Sequence, residues 1–317
     1  MKLANNVSGM VSDTLNSTGS LRLVDPTANW NVLEGITVFN FLTTTYFVAS
    51  FFRYELRNKE LRITATSSRN IGKTHLFWMA SAIFCLCLLS VVCTQIFMII
   101  SKMSTSETAT ETCNLCRTLS NVANAIRNLI FVLTYAFMWY LQQLIYKRSA
   151  MKHLRTRPNV VFSYTTLALA LSSFVAHHIV SSVNLSYSHS VQGCTYKSIP
   201  LSGSISDVIY IAAVSTCGLM GIGLFAYPFC KTMPNKNRPP GEGLAKTVIH
   251  KTLIRYNIIL VVFVVMDAVL SVTTVWLVKN RLVYESLVMW DTSSMLQSVA
   301  VTMCLDKWRK IVMWWAV

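Results

Sequence analysis

Long apolar windows separated by short polar or basic stretches recur seven times along the chain, at about 30–52, 76–101, 118–146, 160–183, 205–230, 252–278 and 283–304. Each is near or above the roughly 20 residues that a helix needs to cross a bilayer. Lipid offers backbone amides no hydrogen-bond partner, so such segments read as helices rather than strands. The second and sixth are the purest, almost unbroken Leu, Ile, Val, Phe, Cys and Met from Leu76 to Ile100 and from Leu253 to Val278. The third is interrupted by Asn121, Asn124, Arg127 and Asn128, and the seventh by Asp291, Ser293, Ser294 and Gln297. Polar residues in a span normally face the bundle interior or a watery cavity. The pattern predicts an all-α integral membrane protein, a seven-transmembrane helix bundle over 30–304. The rival is a bundle of six, with the weak seventh segment lying on the surface.

Composition agrees: 53% of the 317 residues are apolar and only 13% charged, which excludes most soluble folds. The charge excess, 28 Lys and Arg against 13 Asp and Glu, first raises the question of nucleic acid. Its distribution removes that partner. Six basic residues lie in 53–73, five in 147–157, five in 231–251 and three after Leu305, whereas the amino-terminal segment and the other three loops balance seven of each sign. By the positive-inside rule the basic segments are cytoplasmic. The expected protein is a multi-pass one of the plasma membrane, with an extracellular segment 1–29 and a cytoplasmic carboxyl terminus. Residues 1–29 hold no apolar run, so the first span is expected to serve as signal anchor rather than a cleaved leader. The sequons at Asn6, Asn16 and Asn184 then all fall outside and are candidate glycosylation sites.

Cysteines add a constraint on the outer face. Cys113 and Cys116 precede the third span and Cys194 lies between the fourth and fifth. An oxidising compartment allows Cys116 or Cys113 to bridge to Cys194 and pin that loop over the bundle. Zinc or redox chemistry is the alternative reading of the Cys-X-X-Cys spacing, but no second ligand pair follows it. Cys85, Cys87, Cys93 and Cys217 fall within spans as packing residues.

After the seventh span, Trp308, Ile311, Val312 and Trp315 recur at helical spacing beside Lys307, Arg309 and Lys310. This predicts a short amphipathic helix at 305–317 lying among the lipid headgroups. Seven helices, an outside amino terminus, a third-span cysteine paired with the second outer loop and this tail together resemble the G-protein-coupled receptor superfamily. The resemblance covers almost the whole chain at the level of architecture. Local motifs depart from the rhodopsin-like class. The third span closes on Trp139-Tyr140-Leu141-Gln142-Gln143 instead of an acidic-Arg-aromatic triplet, the sixth has no proline, and the seventh has no Asn-Pro-X-X-Tyr. Only Tyr227-Pro228, near the inner end of the fifth, echoes receptor helix punctuation. The resemblance therefore implies a divergent member, of a chemosensory or protist-like group, that binds an extracellular small molecule and signals to a heterotrimeric G protein or other cytoplasmic transducer. No lysine lies between Lys279 and Lys307, so a retinal Schiff base in the seventh helix has no residue to form on. No cofactor is expected.

Apart from Glu34, Asp207 and Glu285 at the outer ends of their windows, four charged residues fall inside the spans: Arg127, Arg255, Asp267 and Asp291. Counted from the outer helix ends, Arg127 and Asp267 lie roughly 16 to 18 Å deep and Asp291 about 12 Å. An unpaired charge there costs at least about 2.5 to 3.5 kcal/mol, so Arg127 needs Asp267 or Asp291 as partner. One reading makes these three the floor of an outward-open ligand pocket with Asn124, Asn128, Tyr210, Trp276 and Trp290. The other makes them an ion pair that only fixes helix register, and a third lines an ion or proton pathway with them. Arg255, near the cytoplasmic boundary, can snorkel.

His177 and His178 stand near the outer end of the fourth span, where headgroup solvation is the expected state and pocket contact the alternative. His75, His153 and His250 sit near the opposite surface, too far for a metal shared with this pair. Serine and threonine hydroxyls have no histidine at mid-depth to act as base, so catalysis is not expected. Gly218, Gly221 and Gly223 read as a close-packing helix face. On the cytoplasmic side, Tyr146, Lys147 and Arg148 with Lys251 and Arg255 form a basic patch where a G protein would dock. Topology and attraction to anionic membrane lipid account for the same charges. The competing function is a small transporter or channel using the intramembrane charges, although neither internal repeats nor broken helices are visible.

Overall fold

The computed structural model describes residues 26–62, 71–103, 109–147, 151, 154–184, 187–190, 193–196, 201–232, 243–280, 282–305 and 311–312. Seven helices follow the seven apolar windows: α1 (Pro26–Arg62), α2 (Ile71–Met103), α3 (Ala109–Tyr146), α4 (Arg157–Asn184), α5 (Leu201–Thr232), α6 (Gly243–Lys279) and α7 (Val283–Cys304). All but the last are long and apolar enough to cross a membrane, and the chain is a multi-pass membrane protein on that ground. Large apolar side chains stand exposed along the outer faces of α1, α4, α5 and α6, among them Phe39, Leu42, Val161, Val175, Leu219, Val262 and Val269. Lipid rather than water is the solvent in which such faces are at rest.

Each helix packs on the next, and α7 packs back on α1, which closes a ring. Inside the ring α7 also touches α2 and α3, and α3 touches α5. The polar residues that weaken the seventh window are explained by this position. No described residue from Tyr284 to Cys304 is exposed, so α7 presents little surface to lipid and has no need of an apolar face. Its polar side chains bond inward instead. Asn40 of α1 donates to Thr292 at 3.1 Å, Cys87 of α2 to the Ser294 carbonyl at 3.3 Å, and Thr134 of α3 to the Gln297 amide oxygen at 3.1 Å. The seventh segment is packed among the other helices: burial, not hydropathy, marks it.

The sequence pattern predicts no strand, yet Tyr187–Ser190 (β1) and Gly193–Tyr196 (β2) form an antiparallel hairpin between α4 and α5, with His189 opposite Cys194. Both strands lie against α3, and β2 also reaches α2 and α7, so the hairpin covers one end of the bundle. Cys116 of α3 is buried beneath it and disulfide-bonded. The side chains of Cys113, Cys194 and Asn184 lie outside the described residues, as do Asn6 and Asn16. At the opposite, tail end, only Ile311 and Val312 of the expected amphipathic helix are described. Ile311 is buried in the main core with Phe51 and Phe84, and Tyr46 of α1 donates a hydrogen bond to the Val312 carbonyl.

Of the three glycines read as a packing face, Gly218 carries the close contact. A Cβ there would meet Val264 Cγ1 of α6 at 2.7 Å, while Gly221 has its nearest neighbour at 3.8 Å and Gly223 faces open space.

Candidate functional site

The buried charges lie where α2, α3 and α7 meet. Arg127 and Asp291 are 3% and 0% exposed and form an ion pair with Nη2 3.6 Å from Oδ1. Two hydroxyls of α2 complete the arrangement: Arg127 Nη2 donates to Thr94 Oγ1 at 2.9 Å, and Ser90 donates to Asp291 Oδ1 at 3.2 Å. Ser90 and Thr94 are four apart on one face of α2, as one helical turn requires. The partner of Arg127 is thus Asp291. Arg127 Nε and Asp291 Oδ2 have no protein hydrogen-bond partner.

Above the pair, toward the hairpin, Phe97, Met98, Cys116, Tyr284 and Leu287 form a compact apolar cluster with Trp30, whose ring lies 4.5 Å from that of Tyr284. This cluster stands between Arg127 and the hairpin end on the α2 side.

A second group forms between α3, α4, α5 and α7. Asn128 donates to both the carbonyl and the side-chain oxygen of Asn124, at 3.0 and 3.3 Å, and lies 3.3 Å from His178 Nδ1. His177 is buried and stacks on Tyr210 with ring centroids 4.0 Å apart. Phe131 and Phe174 continue this surface, and Trp290 of α7 meets Phe131 edge-on at 5.9 Å. Of the residues expected in a pocket, Asn124, Asn128, Tyr210 and Trp290 therefore come together. The two histidines, read from the sequence as solvated by headgroups, are instead turned inward. Adjacent residues project about 100° apart on a helix, and here the α3–α5 side of α4 takes both.

On α6 the expected residues diverge. Asp267 is 3% exposed and lies close enough to Tyr135 and Tyr210 to act on both electrostatically. Ser293 of α7 bonds its carboxyl group, while Oδ1 has no partner. Trp276 is 59% exposed on the outer side of α6, away from this interior.

At the tail end the expected docking patch is corrected in one respect. Tyr146 is 4% exposed, and its hydroxyl donates to the Leu224 carbonyl of α5 at 2.9 Å. The reason lies four residues on. Pro228 has no amide hydrogen and its ring crowds the preceding turn, which leaves the carbonyls of Leu224 and Phe225 to be satisfied from elsewhere. Tyr146 of α3 takes the first, and Asn257 of α6 donates to the second at 3.2 Å. A proline inside α5 is thus the sequence signal for a tyrosine and an asparagine on neighbouring helices. Lys147 and Lys251 are exposed, Arg255 is half-buried over the Tyr256 ring, and Arg148 lies outside the described residues.

Where the rhodopsin-like triplet would stand, Gln142 and Gln143 are both buried against Ser163 of α4, with Gln143 donating to its hydroxyl at 3.0 Å and the hydroxyl donating to Gln142 at 2.9 Å.

The Tyr146–Leu224 bond predicts a conditional effect. Tyr146→Phe is expected to lower stability by about 1 kcal/mol, seen as a lower denaturation midpoint in detergent. In a Pro228→Ala background the residue 228 amide serves the Leu224 carbonyl, and the same substitution should cost almost nothing. An equal cost in both backgrounds would show that the proline is not the cause.

Compared with known protein families and with curated proteins, the chain matches none. The functional reading therefore rests on the arrangement of its own residues.

Proposed function

We propose that the chain is a seven-helix receptor of the plasma membrane, coupled to a heterotrimeric G protein or a similar cytoplasmic transducer, that senses an extracellular small molecule. The observation that carries this reading is the group of inward-turned polar and aromatic side chains at the hairpin end, namely Asn124, Asn128, His177, His178, Tyr210 and Trp290, drawn from four helices. Groups of this kind offer hydrogen bonds and flat apolar surface to one small polar ligand. In this reading α7 also spans, since 22 residues reach about 33 Å along the axis. The hairpin end is extracellular, Cys116 pairs with Cys194, and Asn6, Asn16 and Asn184 carry glycans. Lys147, Lys251 and Arg255 face the transducer, and the Arg127–Asp291 pair braces α2, α3 and α7 beneath the ligand.

A transporter is disfavoured by helix continuity. Such proteins bind substrate where helices break near mid-membrane, whereas α1–α7 run without interruption and the one internal proline in α5 lies near its tail end.

The test is nucleotide exchange on a panel of G proteins by the full chain reconstituted in lipid vesicles, with a library of polar small molecules applied outside. Ligand-dependent exchange that is lost in Tyr210→Ala and Asn128→Ala supports the receptor. Absence of exchange with every ligand, combined with ligand-dependent flux across the vesicle wall, would sink it.

A further inference from the structure

Between α6 and α7 a crevice of about 150 Å³ runs inward from the outer surface. Its rim is Ile258, Val262 and Met266, each exposed on the outer face of α6, and its walls are apolar. At its inner end stand the only polar lining residues, Asp267 and Ser293. Asp267 lies 16 residues from Lys251 and 12 from Lys279, the two ends of the apolar stretch of α6. At 1.5 Å per residue that is about 24 and 18 Å, deep in the hydrocarbon. A mid-membrane carboxyl group of this kind calls for a partner. Ser293 serves one oxygen, Oδ1 has no donor, and among the described residues no basic side chain is within ion-pair distance of Asp267, since the buried arginine is engaged by Asp291.

We propose that this crevice is a binding site for a lipophilic amine that enters sideways from the bilayer. The ammonium group donates to Asp267 Oδ1. A ring or short alkyl portion fills the cavity, whose volume matches one that accepts benzene, and the tail leaves past Val262 and Met266 into lipid. The bilayer concentrates such amphiphiles, and the missing charge partner selects the amine from other lipid-soluble molecules. The site opens outward from α6 and α7 whereas the group at the hairpin end faces the bundle interior, with Asp267 near Tyr210 where the two approach, and it does not depend on the receptor reading.

The test uses the full chain in phosphatidylcholine nanodiscs and a photoreactive para-octylbenzylamine. Saturable labelling confined to peptides of α6 and α7 is expected, competed by para-octylbenzylamine but not by para-octylbenzyl alcohol at equal membrane concentration. Asp267→Asn should weaken the amine by about tenfold or more, the loss of one charge-assisted bond. Val299→Phe, which fills the crevice without touching the carboxyl group, should abolish saturable labelling. Equal competition by the alcohol, labelling spread over all lipid-facing helices, or undiminished binding in Val299→Phe would each overturn the proposal. The alcohol comparison uses the unmodified chain, so it decides even where a variant does not fold.

Discussion

Asp291→Leu is expected to leave most of the chain unable to fold in the membrane, and the fraction purified in detergent should denature well below the unmodified protein. The substitution removes the counter-charge of an arginine that is 3% exposed and held by one hydroxyl. Breaking a buried pair from one side costs about 3 to 5 kcal/mol, because the remaining charge stays desolvated. Arg127→Met should cost a similar amount by stranding Asp291, with only the neutral hydroxyls of Ser90 and Thr94 left to bond it. The double variant Arg127→Met, Asp291→Leu removes both charges and should recover most of the loss, as apolar replacement of a whole buried pair commonly does. Folded yield and denaturation midpoints of the four proteins give the coupling directly. Additive losses would show that the two side chains act independently and that the ion pair is not the bond holding α3 to α7. Under the proposed receptor function the double variant also separates brace from ligand contact: a folded protein that still drives nucleotide exchange has used the pair only as a brace, whereas one that folds and is silent has used it for ligand or signal.

The choice of Asp291 over Asp267 shows where the sequence stops. Depth along a helix is legible from residue counts, and by that measure Asp267 matches Arg127 better. Lateral adjacency is not legible. Inside the ring α3 touches α7, while α6 lies mainly against α5 and α7, and the arginine stem is long enough to absorb the few ångströms of depth between Arg127 and Asp291. The same distinction runs through the rest of the fold. Six helices are plain from long apolar windows because lipid contact imposes that composition on every outward face. The seventh is blurred because its neighbours, not lipid, surround it. Tyr146 and Asn257 carried no sequence signal of their own. Pro228 did, since a missing amide inside a buried helix must free a carbonyl for someone else, but only packing says which residues arrive. His177 and His178 had the ambiguity of any interfacial histidine, resolved when Tyr210 supplied a ring for the first to stack on and Asn128 a polar contact for the second.

Gly218→Ala should be destabilising even though it adds a better helix former. The gain in helix propensity is about 1 kcal/mol. Against it, the new methyl would sit 2.7 and 2.8 Å from the two γ-methyls of Val264, and a valine in a helix has one strongly preferred rotamer and cannot swing aside. Forcing a methyl into a packed site costs about 1 to 3 kcal/mol, so α5 and α6 must separate and the denaturation midpoint should fall. Val264→Ala alone should also destabilise, by emptying the space its methyls fill. In the Val264→Ala background, however, Gly218→Ala meets no obstacle and fills part of that space, so its effect should change sign and become stabilising. Denaturation of the two single variants and the double variant in detergent measures this inversion. A destabilising effect of the same size in both backgrounds would mean that Val264 is not what excludes the methyl. For the receptor proposed above the contact also bears on signalling, since a receptor that opens its tail end does so by shifting packed helices against one another. Gly218 lies two to three turns of α5 from Pro228, whose freed carbonyls tie α5 to Tyr146 of α3 and Asn257 of α6. Loosening α5 from α6 at Gly218 while those ties hold should bias the bundle toward the separated arrangement and raise nucleotide exchange in the absence of ligand. The Gly218→Ala, Val264→Ala double variant, with the close approach restored, should return exchange to the unmodified level.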